Sequence, residues 1–369
     1  MRARVNPFLV REPAPHQSRD EVRAFHRSLP EYAPTPLLGL PALARSLGLA
    51  DLRVKDEGRR FGLSAFKVLG ASWALHRLRE QHPGFTTVSA ATEGNHGRAV
   101  AWAAGRLGLE AVIFIRAGAA QLRIDRLRKE GARVVLVPGT YEDAVAMCAR
   151  ESAEHGWQVV SDVGYEGYLE VPHWIAEGYS TLFEEIDEQL AEGGVEPPDL
   201  VVVQAGVGGL LHAAVDHCKA KPEPPLLVCV EPVEADPLFA SINTPEGDPV
   251  ATTGRQDSIM AGLNTGRPSL AAWPVVRRGV ELFLTIEDGL AREAMRRLAV
   301  PEDGDPRVVA GEAGAAGVAA LLALSRGADL ATAREFLRFE GRRALAIVTE
   351  GPTDPLSYLR TVGRAAEEG

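Results

Sequence analysis

Between Thr86 and Val230 the chain alternates short β-rich runs with longer helical patterns, and this alternation limits the possible folds more than any other feature. The runs TTVSA, AVIFI, RVVLV, WQVVS, LVVVQ and LLVCV read as strands. Segments beginning near Asn95, Gln121, Tyr141, His173 and Gly208 read as helices. Strands joined through helices pair in parallel, and a run such as LVVVQ, apolar on both faces, belongs between two helical layers. The predicted class is α/β with doubly wound open sheets. Gly108, Gly131 and Gly156 each end a helical pattern just before a strand, where a left-handed residue is needed. Pro197 and Pro198 mark a break, and the Pro-, Gly-, Thr- and Asp-rich stretch from Asp236 to Pro268 reads as a loop over the surface or over a site. Near the end, ALAIVTEGPTDP reads as a buried strand opening into a polar loop, and ligands of open α/β sheets bind at such strand ends.

A length of 369 residues accommodates one large or two medium domains. Lys and Arg number 40 against 50 Asp and Glu, a net charge of -10, so no basic face for a nucleic-acid partner is expected. Three cysteines, Cys148, Cys218 and Cys229, without CxxC spacing argue against a disulfide framework or a zinc site and fit a reducing cytoplasm. The charged N-terminal segment lacks a signal-peptide core. The apolar stretches from Leu200 to Val215 and from Ala313 to Leu324 fall short of the ~18 residues a bilayer requires, so no membrane association is expected.

Three loops carry candidate chemistry. In RFGLSAFKVLG, Lys67 lies among Phe66, Val68 and Leu69; it reads either as a lysine snorkelling from a helix or as an amine whose charge burial disfavours, usable as a nucleophile toward an aldehyde. In AATEGNHG, a strand-to-helix turn presents backbone N–H groups to an anion, while Asn95 and His96 alternatively read as helix caps. In QAGVGGL the chain has its most glycine-rich strand-to-helix turn, a cradle for a phosphate. A nicotinamide reading is suggested by Glu231, placed where a ribose-binding acid could lie. It fails at Leu211, where the dinucleotide fingerprint needs glycine. Trp102 and Trp174 read as core, and His96 as a satisfied, partly buried histidine.

The order of these loops, from Thr35 in PTPL to Pro355, resembles the fold-type II pyridoxal phosphate (PLP) enzymes, the tryptophan synthase β-like group. Within that group the stretches RFGLSAFKVLG, EGNHGRAVAWAA, GYEGY, VPHWIAEGY, QAGVGG, IMAGL, GEAGA and TEGPTDP are similar to those of the diaminopropionate ammonia-lyases. The resemblance implies that Lys67 holds PLP covalently and that Asn95 bonds the phenolic oxygen of the cofactor. It gives the phosphate to Gly206, Val207, Gly208, Gly209 and Leu210, and the pyridine nitrogen to Thr349. An alcohol there cannot stabilise a protonated ring nitrogen as a carboxylate would, which favours prompt loss of a β-substituent. The same resemblance makes Asp162, in SDVGYEGY, and Glu93 acid–base candidates, with Thr92, Glu93, Asn95 and Tyr168 on the substrate side. Glu93 departs from the group's aspartate by one methylene, a displacement of about 1 Å that can cost on the order of a hundredfold in rate.

The resemblance thus implies a PLP-dependent lyase that eliminates ammonia from 2,3-diaminopropionate or a similar small β-substituted amino acid, giving pyruvate and ammonia. It also implies a homodimer, with a large PLP-binding domain from residues 1–70 and 185–369 and a smaller inserted α/β domain from 71–184, while the cysteine usage gives the cytoplasmic location. A serine or threonine dehydratase, or a β-replacement synthase, is the alternative within the chemistry. A nicotinamide-dependent dehydrogenase, or a non-catalytic small-molecule-binding protein, is the alternative outside it, and Lys67 argues against both.

Overall fold

The computed structural model describes residues 1–10, 19–92 and 94–367. Eleven strands run along the described chain: β1 (Arg2–Val5), β2 (Leu37–Gly39), β3 (Asp51–Asp56), β4 (Thr87–Ala91), β5 (Glu110–Arg116), β6 (Arg133–Val137), β7 (Gln158–Val159), β8 (Leu200–Gln204), β9 (Leu226–Pro232), β10 (Leu282–Ile286) and β11 (Arg343–Val348). They form two sheets in two compact units, one containing the described residues of 1–18, 33–65 and 182–369, the other those of 19–32 and 66–181. The α/β class with two doubly wound open sheets is borne out.

In the first unit the strand order is β1-β10-β9-β8-β11-β3-β2, parallel throughout except for the two short edge strands. From β8 the chain winds outward through β9 to β10, then returns to place β11 on the other side of β8. The winding therefore reverses between β8 and β11, and in such sheets the crevice for a ligand opens outside the carboxyl ends of the strands at that reversal. All five residues of β8 are buried, as its two-faced apolarity predicts. Leu200 and Val202 share a core with Ala316, Ala319, Ala320 and Ala323 of the helix Ala316–Arg326.

In the second unit the order is β6-β5-β4-β7, all parallel. Here too the chain runs outward from β4 to β6 and returns to β7 beside β4, so the reversal lies between β4 and β7. Val112, Phe114, Val137, Ala144 and Cys148 form its core cluster. The helix Tyr141–His155 has a full capping box on Thr140 and Asp143, and Gly156 closes it at φ 70.

Two expectations are corrected. The run WQVVS forms only the two residues of β7: Val160 N makes the last bond toward β4, to Ser89 O, and Ser161 N then turns to the Tyr168 hydroxyl at 3.0 Å. The segments 19–32 and 66–70 belong with the smaller unit rather than with the large domain, and residues 182–184 with the larger unit rather than with the inserted one. The helix Asp20–Ser28 buries His26, whose Nε2–H donates to Leu69 O at 2.9 Å and whose Nδ1 accepts from Thr181 Oγ1 at 2.7 Å. A carbonyl can only accept, which fixes this tautomer. Gly70 packs so closely on Ile175 and Tyr179 that a Cβ would stand 2.6 Å from either. Among the described residues no single helix is long and apolar enough to cross a membrane.

Candidate active site

Each reversal point carries sequence-predicted residues. In the second unit, β4 ends into Thr92, Asn95 and His96, and β7 ends into Ser161 and Asp162. Lys67 opens the helix Lys67–Gln81, and its Nζ donates to Asp162 Oδ2 at 2.6 Å. Burial alone would lower the lysine, but the facing Asp162 carboxylate outweighs it, and the ammonium is held well above its ordinary range. The sequence expectation of a depressed amine is thereby reversed for the protein with this ion pair intact. Asp162 moves the other way: burial favours its neutral acid, and His96 and Lys67 together override that and hold it as carboxylate.

His96 is buried, with Nε2 at 2.9 Å from Val160 O and Nδ1 at 3.9 Å from Asp162 Oδ2. Among the described residues only one of its two ring nitrogens has a hydrogen-bond partner. Gly94, not Asn95, occupies the N-cap of the helix Asn95–Arg106, without a side-chain cap among the described residues, so the first-turn N–H groups suit an anion. Thr92 is buried and its hydroxyl accepts from Gly94 N at 3.2 Å, fixing the turn. Gly97 lies against it, and a Cβ there would stand 2.1 Å from Thr92 Cγ2. Glu93 lies outside the described residues.

Tyr168 is corrected in role. Its hydroxyl donates to Val159 O at 2.9 Å and accepts from Ser161 N at 3.0 Å, so both capacities go to the backbone that precedes Asp162. The side chain clamps that loop instead of offering a hydroxyl to substrate. Tyr168→Phe leaves a donor and an acceptor without this partner and is expected to cost about 1–2 kcal/mol in chemical denaturation.

In the first unit, β8 runs into Gly206–Leu210 and β11 into Thr349. Gly208 sits at φ 100 as the N-cap of the helix Gly209–Lys219, again without a side-chain cap. A Cβ on Gly206 would come 3.1 Å from Thr265 Cγ2, and the buried Thr265 hydroxyl has no hydrogen-bond partner among the described residues. Uncapped helix N–H groups beside an unpaired hydroxyl suit a phosphate dianion. Thr349 Oγ1 accepts from Gln204 Nε2 at 3.0 Å, which leaves its own proton to donate to an uncharged ring nitrogen. Ile347 O and Ala313 O hold the same amide. Leu211, the position that fails the dinucleotide fingerprint, is fully buried. Glu231 accepts from Leu238 N and Phe239 N at 2.9 and 2.7 Å and so caps the helix Pro237–Ile242. The nicotinamide reading has no residue left to carry it.

The family model described as "Pyridoxal-phosphate dependent enzyme" matches residues 29–335. The chain belongs to this family. Among PLP-dependent relatives, the diaminopropionate ammonia-lyase of Salmonella typhimurium is 37% identical over 374 residues, covering 94% of this chain and 92% of that protein. The holo diaminopropionate ammonia-lyase of Escherichia coli superposes with a TM-score of 0.91 at 35% identity, covering 100% of this chain and 98% of the other. The complex of that enzyme with an aminoacrylate-PLP azomethine intermediate gives 0.90 at 36%, covering 98% and 96%.

Sequence reasoning on this PLP-dependent chain missed Thr265, Gln204 and Tyr179. The Tyr179 ring packs on Phe66 at 4.7 Å, and its buried hydroxyl faces the Lys67 ammonium without a hydrogen bond of ordinary geometry. The signal for Tyr179 was Gly178 before it: a Cβ there would stand 2.5 Å from Leu69 O, so the glycine marks a close approach to the lysine helix. Thr265 lies in an irregular stretch with no periodic signal. Trp102 and Trp174 are buried, as expected of core residues.

Proposed function

We propose that this protein is a PLP-dependent ammonia-lyase that converts 2,3-diaminopropionate to pyruvate and ammonia. The observation that carries the reading is the nearly full-length likeness to diaminopropionate ammonia-lyases, in a chain whose Lys67 and Asp162 are in direct contact. Lys67 would hold the cofactor covalently, Asn95 its phenolic oxygen, Gly206–Leu210 its phosphate and Thr349 its ring nitrogen. When bound, PLP supplies the electron sink that acidifies the α C–H bond and lets the β-substituent depart.

The chain's own residues do the rest. Asp162, kept as carboxylate, takes the α-proton at Oδ2. The β-ammonium of the substrate is already a competent leaving group, so no strong acid is required at that position. The N-terminal turn of the helix Asn95–Arg106 receives the substrate carboxylate. Tyr168 keeps the Asp162 loop in register. Glu93 is retained from the sequence as a second acid–base group, reaching the α-proton of the opposite enantiomer.

A homodimer and a cytoplasmic location complete the proposal, the latter supported by three buried free thiols, Cys148, Cys218 and Cys229. The test is pyruvate release by PLP-loaded protein from L- and D-2,3-diaminopropionate, with L-serine and L-threonine as comparisons. Turnover of diaminopropionate at least tenfold above both hydroxy amino acids is expected. Equal or greater turnover of serine or threonine would make the protein a dehydratase.

A further inference from the structure

His96 carries a role that the lyase reading leaves unassigned. Its Nε2 faces Val160 O, which can only accept, so Nε2 bears a hydrogen and Nδ1 is the nitrogen that gains or loses a proton. Nδ1 is buried, has no hydrogen-bond partner among the described residues, and lies 3.9 Å from Asp162 Oδ2. That is the same oxygen that accepts from Lys67 Nζ at 2.6 Å. A neutral ring would turn a lone pair toward a carboxylate, which is repulsive; an ionised ring, or a proton on the acid, would make the contact attractive.

The charged and titratable groups around Asp162 are few among the described residues: Lys67, His96, Tyr168 and Tyr179. Both tyrosines are pushed upward, first by burial, and remain neutral hydroxyls. Once Lys67 is committed to the cofactor, His96 is the cationic partner left for Asp162. We propose that His96 is a positioning residue that keeps Asp162 ionised when Lys67 is engaged. This inference rests on the lyase reading, with Asp162 as the base. The α C–H bond breaks and the proton goes to Asp162 Oδ2; the electron pair left on the α carbon forms the Cα=Cβ bond as the Cβ–N bond breaks and its pair leaves with the ammonia. The departing ammonia later takes that proton, the O–H bond breaking as N–H forms, and leaves as ammonium. A shift of about 1 Å brings Nδ1 within hydrogen-bond reach of the acid.

Two measurements test it, one without cofactor or turnover. In PLP-free full-length protein with 13C-carboxyl-labelled aspartate, Asp162 is titrated by NMR in Lys67→Met and in Lys67→Met/His96→Gln, with Asp162→Asn to assign the signal. Gln keeps the donor to Val160 O and removes Nδ1. The double variant is expected to titrate about 1–2 pH units higher than the single one; coincident titrations overturn the proposal. In the PLP-loaded enzyme, His96→Gln should raise the acid limb of kcat/KM by about one pH unit, and an unmoved limb overturns the proposal while leaving the lyase standing. If wild type releases no pyruvate from diaminopropionate, the lyase reading fails and the titration alone decides the role of His96. His96→Asn, run in both measurements, replaces His96→Gln should the latter not fold.

Discussion

Lys67→Ala is expected to lower pyruvate formation from diaminopropionate by about 10⁴-fold or more, and to leave a protein that loses its bound PLP absorbance on desalting. The size of the effect follows from where the lysine sits. Lys67 is the first residue of its helix, and its amine meets Asp162 at the point where the second sheet reverses its winding. No neighbouring amine can replace it, because the groups around Asp162 among the described residues are an imidazole and two phenols. The fold should persist, since the side chain is partly exposed and its loss opens no sealed cavity. Thermal melts and spectra before and after desalting separate the two effects. Pyruvate formation within tenfold of wild type would remove Lys67 as the cofactor anchor.

The sequence made the winding legible because buried parallel strands advertise themselves. β8 and β9 are runs of Val, Leu and Cys with few polar interruptions, and the loops after β4, β8 and β11 carry the glycines that tight turns and helix starts require. From those strands alone Asn95, Asp162, Gly206–Leu210 and Thr349 could be placed near strand ends, whereas the strand order that makes reversal points of them depends on pairing between distant segments. β3 was illegible for the opposite reason. DLRVKD looks like a surface segment, yet Val54, Lys55 and Asp56 are buried, and Lys55 is buried only because partners far along the chain neutralise it. The protonation state of Lys67 was likewise out of reach. Local apolarity argued for a depressed amine, and the group that reverses it, Asp162, lies 95 residues away. Tyr168 shows the same limit: its type and loop suggested substrate, whereas its two backbone bonds appear only when residues 159–168 fold back on themselves.

That neutralising cluster carries the second large expectation. Lys55, Glu57, Arg60 and Glu185 all have fully buried side chains. Arg60 donates to both Glu57 and Glu185, each contact at 2.7 Å, and Lys55 donates to Glu185 at 2.7 Å, to Thr35 O at 2.7 Å and to Gln189 Oε1 at 2.9 Å. Two cations face two anions, so the cluster is neutral. Glu185→Gln keeps an acceptor but leaves one buried positive charge uncompensated, and breaking a buried pair in this way costs about 3–5 kcal/mol. Burial alone would raise the Glu185 acid, but its hydrogen bond to Arg60 and the charges of Arg60 and Lys55 dominate and hold it below the ordinary carboxylate range. A depressed carboxyl contributes stability that is present above the unfolded-state value and is lost as pH falls toward the folded one. The stability gap between wild type and Glu185→Gln should therefore be full at neutral pH and shrink as pH drops below about 4.3. Chemical denaturation at pH 7 and pH 3.5 measures both points. A gap under about 1 kcal/mol at pH 7 would mean that water or a shifted Glu57 compensates the charge. The expected loss would loosen the turn Glu57–Gly62, in which Arg60 is anchored, five residues before the lysine on which the chemistry depends.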